Sequence, residues 1–400
     1  MKTKSNLLFI AVLYFFSCSN PENDNNIKSN HLEFVRNYEF KVGMSIRRKH
    51  SGIYYDKEEK QEYMYFGNVV TDKVIKLFSF ENGLVRKIPL DKVTNEENIE
   101  DFSIISLDTI IVLSQYTNKL FFINREGDIW KKIALDSLII HPTKDYYEFS
   151  TSPYSEINID NSRIILGADW REKDQKPDYK TQLEEIKDFY YNLWKSDRYL
   201  RINIDANGIN DYRFGCSLYN TFFPDDSIVD FIELDNYYIA NNDIFVWSDY
   251  SNKIMILNSD SLTIKKTIKI ESKLSPIGAN LIPINEKTVT KLQELTLKNA
   301  RTSGIITRIF YDSHNNIYYF VMLKQISYDF FEKYKYRPSI LMIFDKEFNK
   351  IEEFNITRDQ KGFIFSSNKG LLLNKIDDSK SENIKYSDQR ITLSLYKYYE

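Results

Sequence analysis

TNKLF (Thr117–Phe121), which leads into INREGDI, shows the unit on which the fold prediction rests. A Ser or Thr, an Asn or Asp and a Lys form a turn, an apolar strand follows, and a second turn leads into another strand. The same arrangement recurs at TDKVI (Thr71–Ile75) and SNKIM (Ser251–Met255). Short apolar runs bounded by Asn, Asp, Ser and Gly are typical of β-strands joined by tight turns. A recurring unit of this kind predicts a protein built from copies of one β motif.

Matching strands lie upstream of two of these turns, in SLDTIIVLSQY (106–116) and NDIFVWSDY (242–250). Four strands joined by three turns are typical of a four-stranded antiparallel propeller blade. Weaker copies bring the count to six, with seven as an alternative, and the opening strand near Phe34–Phe40 is free to complete the last blade. We therefore predict an all-β fold, a six-bladed β-propeller, because closing the ring removes exposed sheet edges. The alternative is a large β-sandwich or a pair of them.

Composition favours strands over helices throughout the 400 residues. The chain has 49 Ile against 7 Ala, and aromatic residues make up 15% of it. Ala is the best helix former, whereas Ile, Tyr and Phe suit a pleated, half-buried strand. The 54 Lys and Arg against 57 Asp and Glu leave no basic excess, which argues against nucleic acid as a partner.

Two stretches interrupt the strand pattern. Residues 177–198 place apolar side chains at spacings of three and four with charges between them, which predicts an amphipathic helix. Residues 285–300 show a weaker version of the same pattern. Insertions on a repeat scaffold usually emerge on one face, where binding surfaces concentrate. Each predicted helix serves either recognition or the covering of a blade edge or channel mouth.

The N-terminus predicts export. Lys2 and Lys4 precede a ten-residue apolar run, Leu7–Phe16, which is too short to span a membrane and fits a signal peptide over residues 1–17. Cys18 follows the small residue Ser17, as in the lipobox of bacterial lipoproteins, so we expect Cys18 to be the lipidation site. Residues 18–31 predict a flexible tether, and residues 32–400 a single propeller domain. The expected location is the outer membrane, facing either the periplasm or the cell surface. An ordinary secretory signal with a chance cysteine is the alternative.

The stretch IITRIFYDSHNNIYYF (305–320), the lipoprotein-like start and six propeller-like units together resemble a Bacteroidota family of lipoproteins of unknown function, domain of unknown function 4221. The family's pattern of Arg-Ile-x-Tyr-Asp, then Tyr-Tyr, is carried by Arg308 to Asp312 and by Tyr318 and Tyr319. The resemblance covers nearly the whole mature chain. It implies a propeller fold and an envelope location, and it implies no activity.

Catalytic signatures are absent from the sequence, which has no nucleophile elbow, P-loop, dinucleotide-binding glycine motif or zinc-protease motif. We therefore assign no catalytic residue and expect no cofactor. NIDANGIND (203–211) offers oxygen ligands at Asp205, Asn207 and Asp211, the start of a calcium-loop pattern, but a hairpin turn at Asn207–Gly208 explains the same residues.

Four residues have the chemistry of a sugar-binding surface, which combines aromatic faces with charged side chains. They are Trp170, Arg171, Trp194 and Trp247. In a chain so rich in aromatic residues, packing in the core explains such residues as well. The sequence favours a non-catalytic propeller, anchored to the membrane by a lipid, that binds a glycan, a peptide or an envelope protein. The alternative is an extracellular hydrolase or lyase with its site in the propeller channel.

Overall fold

The computed structural model describes residues 29–45, 50–114, 117–135, 146–150, 158–160, 163–171, 183–188, 199–205, 208–215, 236–248, 251–279, 282–283, 285, 287–334, 336–356, 364–375 and 390–399. In these residues, six antiparallel sheets follow one another along the chain and form the blades of a propeller. The prediction of a six-bladed β-propeller is confirmed.

The first three blades follow an opening strand, β1 (Leu32–Lys41). Blade 1 contains β2 (Ser51–Asp56), β3 (Gln61–Asn68), β4 (Val74–Ser79) and β5 (Gly83–Pro89). Blade 2 contains β6 (Ile99–Ser106), β7 (Thr109–Ser114), β8 (Lys119–Ile123) and β9 (Ile129–Ala134). Blade 3 contains β10 (Tyr146–Ser150), β11 (Asn158–Asp160), β12 (Arg163–Arg171), β13 (Tyr199–Asp205) and β14 (Gly208–Gly215). Its inner position is shared by β10 and β11, which pair with different parts of β12.

The last three blades repeat the order. Blade 4 contains β15 (Asn236–Ala240), β16 (Asp243–Trp247), β17 (Lys253–Asn258) and β18 (Ile264–Lys269). Blade 5 contains β19 (Ile305–Asp312), β20 (Ile317–Leu323), β21 (Ser339–Asp345) and β22 (Lys350–Ile356). Blade 6 contains β23 (Ile364–Ser367), β24 (Gly370–Lys375) and β25 (Arg390–Tyr398), and β1 completes it.

The ring closes where β1 pairs antiparallel with β25, from Leu32 opposite Tyr398 to Lys41 opposite Arg390. The first and last parts of the chain therefore share one sheet, as expected from the free opening strand. Phe40 of β1 is buried and packs edge-on against Phe66 and Phe78 of blade 1, so the closing strand also contributes to the next blade interface.

Both faces of each blade are buried, which explains the unbroken apolar runs in the sequence. In β7, Ile110 and Val112 pack toward blade 1, whereas Ile111 and Leu113 pack toward blade 3. Alternate residues of a strand point to opposite faces, so a strand between two neighbouring blades needs apolar residues at every position. The surplus of Ile and aromatic residues meets this need.

The recurring turn has a structural basis. The residue immediately before the third strand of a blade is Lys73, Asn118 or Asn252, and its carbonyl accepts a hydrogen bond from the residue that follows the outermost strand, Leu90, Leu135 or Ile270. These hydrogen bonds, with donor–acceptor distances of 2.7–2.8 Å, join the residue that follows the outermost strand to the start of the third strand of the same blade. In the first unit the equivalent residue is Lys73 rather than Asp72, one position later than the sequence pattern suggested.

Four helices and one 3₁₀ turn interrupt the strands in the described residues. The helices are Asp91–Thr94, 183–188, Leu292–Thr302 and Tyr328–Tyr334, and the 3₁₀ turn is Val289–Lys291. The second and third helices fall within or close to the predicted insertions at 177–198 and 285–300. The first and last were not predicted. No helix in the described parts of the chain is long and apolar enough to cross a membrane.

Candidate binding face

The two ends of the propeller differ in the length of their connections. At one end, successive strands are joined by turns of two to five residues, such as 57–60 and 241–242. At the other end, the connections range from 4 to 35 residues and include 172–198 and 270–304. We call these the tight-turn end and the long-connection end.

All four helices belong to the long-connection end. The helices Asp91–Thr94 and Leu292–Thr302 lie between the outermost strand of one blade and the innermost strand of the next, and 183–188 and Tyr328–Tyr334 lie between second and third strands. Because strands alternate in direction, both kinds of connection return at the same end of the ring. The topology therefore concentrates the irregular surface of the protein at one end, where functional loops are usually found.

The two termini of the described chain lie at the opposite, tight-turn end. Ser29 Oγ donates to Glu352 Oε2 at 2.5 Å, and the backbone N–H of Asn30 donates to Oε1 of the same carboxylate at 2.9 Å. His31 accepts a hydrogen bond at its carbonyl from Tyr399 N, and its ring stacks on Tyr398 with centroids 5.8 Å apart. The last residues of the predicted tether, 29–31, are thus fastened to the propeller at this end.

The innermost strands surround the central channel, and side chains from adjacent blades satisfy several of their backbone groups. A strand without a partner on one side leaves N–H and C=O groups that must be paired elsewhere. The side chain–carbonyl pairs are His50 Nε2 with Glu100 (3.1 Å), Trp247 Nε1 with Ile306 (2.7 Å) and Arg308 Nη1 with Ile364 (3.1 Å). Polar groups around the channel therefore join neighbouring blades.

A cavity of about 350 Å³ opens beside His50, lined by Ser45, Gly67 and residues 68–72. His50 Nε2 lies 3.8 Å from Asp101 Oδ1, and the two side chains are 1% and 0% exposed. Asn68 uses its side-chain oxygen to accept the backbone N–H groups of residues 70–72, which closes the turn over the cavity. His50 also lines the cavity, although its side chain is almost completely buried.

Charges on the blade 1–blade 2 side of the long-connection end are locally paired. Lys119 Nζ donates to Glu97 Oε1 at 2.6 Å, just after the helix Asp91–Thr94. This hydrogen bond holds the pKa of Glu97 below its ordinary value. Lys132 Nζ contacts Glu96 at 2.6 Å in the same way. The blade 1–blade 2 side of this end therefore carries balanced, solvated ion pairs.

Aromatic side chains mark the blade 5 side of the same end. Phe330, Tyr334 and Tyr336 form a cluster of three rings with centroid separations of 4.7, 5.6 and 6.0 Å. None of the residues of the helix Tyr328–Tyr334 is buried. We call Phe330, Tyr334 and Tyr336 the aromatic patch. Sequence reasoning missed it, although Ser327, whose hydroxyl oxygen accepts the Phe330 N–H at 3.2 Å, is an N-cap signal visible in the sequence.

The described structure places three of the four predicted ligand-binding residues, Trp170, Arg171 and Trp247. Trp247 is fully buried in the interface of blades 4 and 5, so its indole stabilises the core. Trp170 and Arg171 lie at the long-connection end of β12, in register with Tyr147 and Tyr146 of β10. Trp194 and Cys18 lie outside the described residues, as does Cys216.

The predicted metal ligands lie around the β13–β14 hairpin, where Asp205 pairs with Gly208. Asp211 Oδ2 accepts a hydrogen bond from Arg201 Nη2, and Asn207 lies outside the described residues. The described residues contain no group of three or more His, Cys, Asp and Glu side chains positioned to hold a metal ion. A hairpin therefore forms at the segment that suggested a calcium loop.

Comparison with known proteins supports the fold and assigns no activity. No protein-family model matches the sequence, and no curated protein is similar enough to count as a relative. A member of the DUF4221 family from Bacteroides vulgatus ATCC 8482 superposes with a TM-score of 0.65 at 15% identity, covering 93% of this chain and 99% of that one. A protein from Bacteroides fragilis NCTC 9343, provisionally described as exported, gives a TM-score of 0.50 at 9% identity, covering 94% and 98%. The resemblance expected from the sequence is confirmed at the level of the fold.

Proposed function

We propose that this protein is a cell-envelope lipoprotein whose propeller is a non-catalytic binding module, with the long-connection end as its binding face. The observation that carries the proposal is the separation of the two ends. The described chain begins at the tight-turn end, fastened through Ser29 and Asn30 to Glu352, while every described helix belongs to the other end. A lipid on Cys18 would hold the tight-turn end toward the membrane and turn the helices away from it.

The tether is tested by replacing the proposed lipidation site. Cys18→Ala in the full-length chain should abolish metabolic lipid labelling and move the protein from the membrane to the soluble fraction, because a cysteine sulfur is needed for attachment. Cys216→Ala is the matched control and should change neither. Unchanged membrane retention of Cys18→Ala would contradict the lipoprotein assignment. Export itself is supported by the apolar run Leu7–Phe16 and by the provisional description of the Bacteroides fragilis protein as exported.

The binding face is tested by photo-crosslinking from two leucines of similar exposure. Leu297, 39% exposed, lies on the helix Leu292–Thr302, and Leu84, 45% exposed, lies beside the 80–82 turn at the tight-turn end. A photoreactive residue at position 297 of the membrane-held chain should give discrete crosslinks to envelope material, whereas the same residue at position 84 should not. Crosslinks from position 84 alone would overturn the assignment.

The competing hypothesis is a hydrolase or lyase that works in the propeller channel. In the described residues, the pair of His50 and Asp101 beside the cavity is the observation that favours it. Both side chains are buried, which suits a structural role better than proton transfer to a substrate. If the pair were catalytic, His50→Gln would abolish hydrolysis of a polymer that the wild-type chain degrades, with an unchanged melting temperature.

A further inference from the structure

We propose that the aromatic patch, Phe330, Tyr334 and Tyr336, binds an anionic polysaccharide, with a sugar ring stacked on Tyr334 and its acidic groups paired with nearby basic side chains. The proposal rests on the proposed function, in which the long-connection end is the binding face. It adds the chemical class of the ligand and the place where the ligand binds.

The patch is an exposed surface rather than an extension of the core. The helix that carries it has the sequence YDFFEKY, and no side chain of this helix is buried. Tyr334 is 45% exposed, and its ring lies 4.7 Å from that of Phe330 and 6.0 Å from that of Tyr336. The ring pairs are tilted or edge-to-face, with interplanar angles of 47°, 69° and 65°, so the proposed sugar contact uses the exposed part of the Tyr334 ring.

The patch is held in place by backbone and side-chain hydrogen bonds on both sides. Arg337 Nη1 donates to the carbonyl of Ala300 at 2.8 Å, and the N–H of Ile326 donates to Thr302 at 2.9 Å. The N–H of Lys324 donates to Pro338 at 2.8 Å and closes the connection. The connection 324–338 is thus locked against the end of the helix Leu292–Thr302. A preorganised surface loses little conformational entropy when it binds.

The charge around the patch is opposite to that of the whole chain. Residues 285–302 and 324–338 together contain eight Lys and Arg against four Asp and Glu, whereas the full sequence has 54 against 57. Several of the cations lie beside the rings. Lys333 Nζ is 5.0 Å from the Tyr334 ring centroid. Arg301 Cζ is 5.6 Å from the ring centroid of Phe331, which lies next to Phe330 in the helix, and Arg301 Nη1 lies 3.8 Å from Glu332 Oε1. A ligand that stacks on the patch therefore brings its acidic substituents close to positive charge.

The size of the patch favours a short stretch of polysaccharide over a folded protein. Tyr334 is 45% exposed, whereas Phe330 and Tyr336 are partly buried, so the three rings together offer on the order of 200 Å² of contact area. A stable protein–protein interface needs roughly 800 Å² on each partner. The connection that carries the patch belongs to the end of the ring opposite the first described residues, which under the proposed function is the end away from the membrane.

The test uses the full-length, lipidated chain in detergent and three defined probes, with binding measured by titration calorimetry. Oligogalacturonate supplies sugar rings and carboxylates, its methyl ester supplies the same rings without charge, and poly-L-glutamate supplies the charge without the rings. We expect oligogalacturonate to bind at least about 10-fold more tightly than either comparator. Equal binding of poly-L-glutamate would contradict stacking, equal binding of the ester would contradict charge recognition, and no binding of oligogalacturonate would overturn the proposal.

Three variants locate the site. Tyr334→Ala should weaken oligogalacturonate binding about 10-fold, and Tyr334→Phe should keep it within about threefold because the ring remains. Tyr399→Ala removes a tyrosine of similar exposure, 48%, at the tight-turn end and should change nothing. Equal losses for Tyr334→Ala and Tyr399→Ala would overturn the placement. If oligogalacturonate fails to bind while crosslinks from position 297 persist, this inference fails and the proposed function stands; if the crosslinks are also absent, both fail.

Discussion

Individual buried residues show how the propeller uses polar atoms to join its blades. The indole N–H of Trp247 in blade 4 reaches the carbonyl of Ile306 in blade 5 at 2.7 Å, inside an apolar cluster. A buried carbonyl that loses its donor is left without compensation for lost hydration. Trp247 therefore contributes buried apolar surface and also the hydrogen-bond donor for the Ile306 carbonyl.

We expect Trp247→Phe to lower the stability of the protein by about 2–3 kcal/mol, because the smaller ring leaves a cavity and the Ile306 carbonyl loses its donor. Trp130→Phe is the control: Trp130 is 54% exposed, and its replacement should change stability by less than about 0.5 kcal/mol. Denaturant unfolding of the two variants measures the difference. Equal losses would show that the bond and the burial are unimportant.

The buried carboxyl of Glu62, at the tight-turn end of blade 1, is expected to make the stability of the protein depend on pH. Its side chain is buried, and burial raises the pKa of its carboxyl, although Oε1 accepts the Asn368 N–H at 2.7 Å and Lys369 lies nearby. A carboxyl whose folded-state pKa is raised favours folding when it is protonated, and that contribution is lost as the pH rises through the folded-state pKa.

We therefore expect Glu62→Gln to raise the melting temperature at pH 8 and to give a smaller gain at pH 4, where wild-type Glu62 is itself protonated. Glu347→Gln, which replaces an exposed carboxylate, should leave the pH dependence of the melting temperature unchanged. A Glu62→Gln effect that is the same at both pH values would contradict the assignment of a buried, raised-pKa carboxyl.

At the scale of the element, the recurring turn is the unit that organises the fold. Lys73 and Asn118 occupy equivalent positions before the third strand and adopt left-handed backbone conformations, with φ of 49° and 46°. Asn tolerates this region better than Lys because its short polar side chain bonds locally. The carbonyl of the residue at this position accepts the backbone hydrogen bond from the residue that follows the outermost strand. This hydrogen bond holds the residue in its left-handed conformation.

Lys73→Asn should therefore stabilise the protein, by about 0.5–1 kcal/mol, because Asn relieves strain at a positive φ while the backbone bond from Leu90 is kept. Lys87→Asn, at an exposed position of the extended strand β5, should not stabilise. Thermal unfolding of the two variants is the measurement. A loss of stability in Lys73→Asn would show that the Lys side chain makes a contribution larger than the backbone strain.

The blades could be predicted from the sequence, and the candidate binding face could not. Strands such as β7 and β20 are predicted by apolar runs between Asn-rich turns. The opening strand had no partner in its own neighbourhood of the sequence, which predicted that it closes the ring, and it pairs with β25. The helix Tyr328–Tyr334 was missed because its four aromatic residues match strand composition as well as helix composition. Trp247 shows the same ambiguity: with both faces of every blade buried, residue type alone does not separate a core aromatic from one that meets a ligand.

At the scale of the whole molecule, the two ends of the ring differ in what they carry. The tight-turn end carries the chain termini and the contacts of Ser29, Asn30 and His31, whereas the long-connection end carries the helices and the aromatic patch. This division follows from the topology, since an opening strand that completes the last blade must begin at the tight-turn end. A lipid on Cys18 would therefore orient the propeller without any further contact with the membrane.

Oxidative footprinting of the full-length chain, in its native membrane and after purification in detergent, tests this division most directly. Purification removes bound envelope material, so Tyr334 and Leu297 at the long-connection end should become several-fold more reactive. Leu84 at the tight-turn end, of comparable exposure, should change little. Increased reactivity confined to Leu84, with Tyr334 and Leu297 unchanged, would contradict the assignment of the long-connection end as the binding face.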